Sequence, residues 1–102
     1  MAAKLEIAAS RDAAQTVLQL TGRIDTTTAP QFDEAVKAAL PDTKLLVLDM
    51  EGVQYLSSAG LRVLLSAQKV MNHQGRMVLK HVSSEVMEIF DVTGFADILP
   101  IE

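Results

Sequence analysis

The chain of 102 residues contains no cysteine. Disulfides, thiolate metal sites and cysteine nucleophiles are therefore excluded. Histidine is almost as scarce, with only His73 and His81, and these two stand in no metal-ligand spacing. No apolar run approaches the ~18 residues that a membrane-spanning helix needs. Met1 to Ser10 lacks the apolar core of a signal peptide. A cytoplasmic protein without membrane contact is the expectation. Nine Lys and Arg against thirteen Asp and Glu leave a formal charge of −4, and the nine are scattered along the chain. Nucleic-acid binding needs clustered cations facing phosphates, so no nucleic acid is expected as a partner. Catalytic signatures are missing too: there is no Gly-x-Ser-x-Gly, no glycine-rich phosphate loop and no His-Glu-x-x-His. The chain therefore reads as a non-enzyme with no catalytic residue, metal or cofactor. Asp33-Glu34 and Glu85/Glu88 read as solvated helix faces. Asp49 reads as a turn-former or cap.

Hydrophobic residues make up 49% of the sequence, enough for a packed core and too many for disorder. The length fits one domain over residues 1–102. Lys4 to Ala8 alternates and predicts a short strand, Arg11 to Ala14 a hairpin turn, and Thr16 to Thr21 a second, antiparallel strand with Thr16, Leu18 and Leu20 on one side. Gly22 to Thr27 reads as a polar turn. Thr28 with Gln31 matches a capping box, and Pro30 suits a first helical turn. Phe32, Ala35, Val36, Ala39 and Leu40 then form one apolar stripe, stopped by Pro41-Asp42. Leu45 to Leu48 is continuously apolar, as in a central strand buried on both faces. A second helix is expected from Ser58 to about His73, with Leu61, Leu64, Leu65 and Met71 inward and Gly75 closing it. Arg62, Ser66, Lys69 and His73 recur on its opposite face. Arg76 to Val82 predicts another strand. Ser83 or Ser84 caps a third helix through Phe90, with Gly94 beyond its end. Ile98 to Ile101 is a last strand or an extended tail. The order β-β-α-β-α-β-α-β predicts an α/β fold: a mixed sheet of four to five strands with a layer of helices.

The segment Gly52 to Arg62 departs from this plain pattern. A strand leads into a turn, and Ser57-Ser58 open an amphipathic helix. A serine N-cap explains one hydroxyl, at about 1 kcal/mol. It explains less well Ala59 and Gly60 in the first turn, since Gly costs ~1 kcal/mol in a helix. A phosphate there would meet free N–H groups and the positive end of the helix dipole.

Tyr55-Leu56-Ser57-Ser58-Ala59-Gly60-Leu61-Arg62 resembles the phosphorylation motif of STAS-domain proteins, the bacterial anti-sigma factor antagonists. Leu20 to Asp25 resembles that family's "LxGxLD" segment, Val47 to Met50 its central strand, and Phe90 to Phe95 its "FxxxGL" close. The matches fall in order over nearly the whole chain. The resemblance implies a STAS fold and a partner-switching regulator of sigma-factor-dependent transcription. Unphosphorylated, such a domain binds an anti-sigma factor that is also a GHKL-type serine kinase. Phosphorylation releases it, and a PP2C-type phosphatase resets it. By motif position the phosphorylated residue is Ser58, with Ser57 as rival. Asp25 matches a loop aspartate that helps engage the partner. The expected partner surface comprises Asp25, Thr26, Thr27, Ser57, Ser58, Ala59 and Gly60, and helical spacing from Ser58 adds Arg62, Ser66 and Lys69 to it. Alternatives within the same fold are a subunit docking on a transporter ATPase and a stressosome-type scaffold. A free monomer is expected, because one core accounts for all the apolar stripes.

Overall fold

The computed structural model describes residues 4–102, so Met1–Ala3 of the expected domain lie outside the described residues. Strand β1 (Leu5–Asp12) turns through Ala13, at φ 55°, into β2 (Gln15–Ile24), and the two pair antiparallel. Helix α1 (Ala29–Ala39) follows, then β3 (Leu45–Leu56), α2 (Ser58–Met71), β4 (Arg76–Lys80) and α3 (Ser84–Thr93). A short 3-10 turn, Phe95–Asp97, leads to the C-terminus. The sheet order is β1-β2-β3-β4, with β2-β3 and β3-β4 parallel. The expected mixed α/β sheet is thus present.

Period-two alternation decides which face is covered. Leu18, Leu20, Leu46, Leu48, Met50, Met77 and Leu79 point to one face. Phe32 and Val36 of α1, Leu61, Leu64 and Met71 of α2, and Val86 and Phe90 of α3 close over them. Burying each such side chain contributes about 1.5–3 kcal/mol. On the other face Val17, Val47 and Val78 lie side by side in register, and Val47 and Val78 are buried there. The continuous apolar run of β3 is therefore buried on both sides at its centre. Thr16, on the same side of β2 as Leu18 and Leu20, is buried and shares a 2.8 Å hydrogen bond with Thr43, which also donates to the Ala39 carbonyl.

Several expected boundaries shift. Gly22 to Ile24 is strand, not turn: Gly22 adopts φ 120° opposite Leu5. A Cβ there would sit 2.1 Å from the Lys4 carbonyl oxygen, so only glycine lets β2 run on past β1. Gly52 to Leu56 likewise continues β3 instead of turning. The capping box at Thr28 does not form. Thr28 has helical dihedrals, and its hydroxyl donates to the Arg23 carbonyl at 2.8 Å, while Gln31 reaches the Leu5 carbonyl. Strand β4 ends at Lys80, where His81 takes φ 58°. Ser83 is the cap of α3, accepting from the Val86 N–H, and Gly94 terminates that helix in the left-handed conformation. Ile98–Ile101 makes no full strand; Ile101 forms one parallel bridge to Leu79.

Candidate functional site

The two strands that carry the candidate residues end side by side. Ile24 pairs with Leu56 at the C-terminal ends of β2 and β3. The Ser57 N–H donates to the Ile24 carbonyl at 2.8 Å, which clamps the start of α2 to the loop that follows β2. Asp25 and Ser57 are thereby held next to each other, although 32 positions separate them in the chain.

The two serines divide the work. Ser57 is the N-cap: its backbone is extended, and its hydroxyl accepts from the Gly60 N–H at 3.4 Å. Ser58 is the first helical residue and is exposed. Capping is therefore done by the rival serine, and the Ser58 hydroxyl is not used for it. The N–H groups of Ser58 and Ala59 have no carbonyl a turn earlier to bond within the helix. Gly60 does not open the surface to an approaching partner. It is buried, and a Cβ would lie 2.5 Å from Leu56 Cδ1 and 2.7 Å from Ile24 Cγ2. Its smallness seats α2 against β2 and β3.

Asp25 is turned mostly inward on its own loop. Its Oδ1 accepts from the Thr27 hydroxyl at 2.6 Å, the Thr27 N–H at 2.9 Å and the Thr28 N–H at 3.1 Å. The Thr27 hydroxyl is the main cause that lowers its pKa from 3.8 to about 2, with the backbone donors of Thr27 and Thr28 adding to it. Asp25 is thus a fixed negative charge that shapes the loop. Its other oxygen lies 4.0 Å from Arg23 Nε.

A shallow groove of about 410 Å³ runs between the N-terminal turns of α1 and α2. It brings together Thr26, Ala59, Arg62 and Ser66 of the expected surface, with Ala29, Pro30, Asp33 and Val63. Ser57, Ser58, Asp25 and Thr27 adjoin it without lining it, and Lys69 lies further along α2, exposed. Two residues of this corner escape the sequence reading. Arg23 stacks its guanidinium 4.6 Å from the Tyr55 ring centre, and both are exposed at the strand ends beside the serines. Tyr55 is the sole tyrosine and Arg23 sits inside the "LxGxLD"-like segment; the signal was there, but only the β2–β3 register unites them.

A family model described as the STAS domain matches residues 5–102. The chain is 40% identical over 85 residues to BtrV of Bordetella bronchiseptica, covering 80% of this chain and 72% of that protein. It is 32% identical over 94 residues to the anti-sigma-B factor antagonist of Listeria monocytogenes, covering 90% and 82%. The fold is similar to that of an anti-sigma factor antagonist from Mycobacterium paratuberculosis, with a TM-score of 0.85 at 22% identity over 95% of this chain and 84% of the other.

Proposed function

This chain belongs to the STAS domain family, and from that premise we propose that it is an anti-sigma factor antagonist switched by phosphorylation at Ser58. Unphosphorylated, it binds an anti-sigma factor that is also a GHKL-type serine kinase, and so frees a sigma factor. Phosphorylation of Ser58 releases it, and a PP2C-type phosphatase restores it. It acts as a non-enzymatic binding protein through the single domain of residues 1–102, in the cytoplasm where such partners work. Among the described residues no helix is long and apolar enough to cross a membrane.

The observation that carries this reading is the split between the serines. Ser57 caps α2, so Ser58 is exposed with its hydroxyl free of that duty. A phosphate on Ser57 would have to take over from the hydroxyl that accepts from Gly60; one on Ser58 leaves that cap as it stands. Phosphorylation adds about −1.5 to −2 charges. That charge would arrive at the rim of a groove already holding Asp33 and next to the ionised Asp25. Arg62, four residues on along the same helix face, partly offsets it. The helix end tolerates the phosphate, so the domain stays folded. A partner surface shaped for a neutral serine instead meets like charge and uncompensated desolvation, and lets go.

The test is incubation with the cognate kinase and ATP, followed by intact mass and site mapping. One phosphate on Ser58 is expected. Ser58→Ala should bind the kinase tightly and stay bound in ATP, while Ser58→Asp should bind weakly. An active kinase that leaves both Ser58 and Ser57 unmodified would overturn the proposal.

A further inference from the structure

Among the described residues, one of the sheet's two edges is closed and the other is not. On β4, Leu79 donates to the Pro100 carbonyl at 3.0 Å and accepts from the Glu102 N–H at 2.9 Å, so the C-terminal segment covers that edge. Among the described residues, strand β1 pairs with β2 alone. The Lys4 carbonyl accepts from the Arg23 N–H at 2.9 Å, which fixes the even-numbered residues of β1 as those bonded to β2. The main-chain groups of Leu5, Ile7, Ala9 and Arg11 therefore face outward. In keeping with this, the Leu5 carbonyl accepts from Gln31 Nε2 across the edge at 3.2 Å. Natural edges are usually blunted by lysine, proline or a bulge. The stretch Ile7-Ala8-Ala9-Ser10 has none of these, and its register with β2 is unbroken from Leu5 to Asp12.

We infer that this edge is a docking site for a second copy of the chain, joined antiparallel about Ala8 into one continuous sheet. Charge selects both occupant and register. With Ala8 opposite Ala8, the outward-facing pairs are Ile7 with Ala9 and Leu5 with Arg11, each in hydrogen-bonding phase. Each Lys4 then meets Asp12 of the other copy, and Glu6 meets Ser10. A slip of one ladder step in one direction puts Glu6 opposite Asp12, and in the other it leaves Lys4 facing Ser10. The strand is thus complementary to its own reverse, which a second copy supplies. A two-fold axis through Ala8, perpendicular to the sheet, keeps both helical layers on one side. There a groove of about 510 Å³ lies along the edge, lined by Ile7 and Ala9 of β1 and by Ala35 and Ala38 of α1, with the longer Arg11, Gln31 and Glu34 also lining it. The alanines leave room in one copy; the partner's β1 and α1 complete it. A satisfied side-chain core is compatible with this joint, because the unpaired groups at the edge are main chain; the Leu5 carbonyl alone keeps its bond from Gln31 among those named. Ser58 follows β3, two strands away, so both copies keep it accessible.

The test is sedimentation of the full chain over a concentration series, with variants at the axis. Wild type should dimerise reversibly. Ala8 is exposed, so Ala8→Lys should keep the monomer's fold and melting curve while placing two like charges together; the dimer should weaken about tenfold or more. Ala8 faces itself as a non-hydrogen-bonded pair, at about 4.5 Å between Cα atoms, within disulfide reach. The chain has no native cysteine, so Ala8→Cys treated with diamide should form a covalent dimer, and Ser10→Cys should not. A wild type that stays monomeric at every concentration overturns the inference. So does a dimer indifferent to Ala8→Lys, or equal cross-linking of Ser10→Cys. A monomer whose affinity for its anti-sigma factor falls on Ala9→Pro would give the edge to a foreign strand instead, and also overturn it.

Discussion

At the scale of single residues, neighbouring serines have different jobs. Ser57→Ala removes the cap and should cost about 1 kcal/mol in urea unfolding. Ser58→Ala should change stability by no more than ~0.5 kcal/mol and abolish phosphate uptake by intact mass. The reverse pattern would assign the switch to Ser57. Asp25 gives a second measurable outcome. Its carboxyl is lowered from 3.8 to about 2 in the folded chain. Its contribution to stability is complete above 3.8 and is lost as the pH falls through about 2. A carbon-detected titration of Asp25 should find the low midpoint, and Thr27→Ala should raise it, since the Thr27 hydroxyl is its main cause. An Asp25 midpoint unchanged by Thr27→Ala would contradict this. The hydroxyl at Ser58 was legible in the sequence. That Ser57 holds the cap was not, because either serine satisfies the same residue preference, and the Ser57-to-Ile24 bond fixes Ser57 as the extended residue before the helix.

At the scale of elements, α2 is seated by Gly60. Its Cβ position is filled by Leu56 and Ile24. Gly60→Ala gains helix propensity of ~1 kcal/mol but overpacks the contact at a cost of about 1–3 kcal/mol. A net loss is expected in a urea midpoint, with the N-terminal turn of α2 displaced from Asp25. A stabilised Gly60→Ala would mean that the neighbours yield freely. Phosphate on Ser58 should leave the helix intact or stabilise it by about 0.3–1 kcal/mol, through the macrodipole. Comparing the melts of phosphorylated and unmodified chain checks this. Release of a partner would then be an interface effect and not local unfolding. The helices themselves were legible from their apolar stripes. The strand ends at Gly22–Ile24 and Gly52–Leu56 were not. Polar residues and glycines mimic turns there, while long-range pairing between β2 and β3 keeps them extended.

At the scale of the whole molecule, the candidate site sits at one corner and is tied to the sheet by main-chain bonds. Ser58→Asp should therefore shift amide resonances in residues 23–28 and at the start of α2, and leave β1 and α3 unmoved. Widespread shifts would point to a global change of conformation instead. The sequence by itself determined the layer architecture, because the period of its apolar residues is local and sets which face of each strand and helix must leave water. It also determined the serine-bearing helix start, through an ordered set of motifs. Only tertiary structure decided which serine caps and that Gly60 faces the core. It likewise placed Arg23 on Tyr55 and left β1 as the open edge. The physical reason is the same in each case: these features depend on contacts between residues distant in the chain, and on which main-chain groups those contacts leave unpaired.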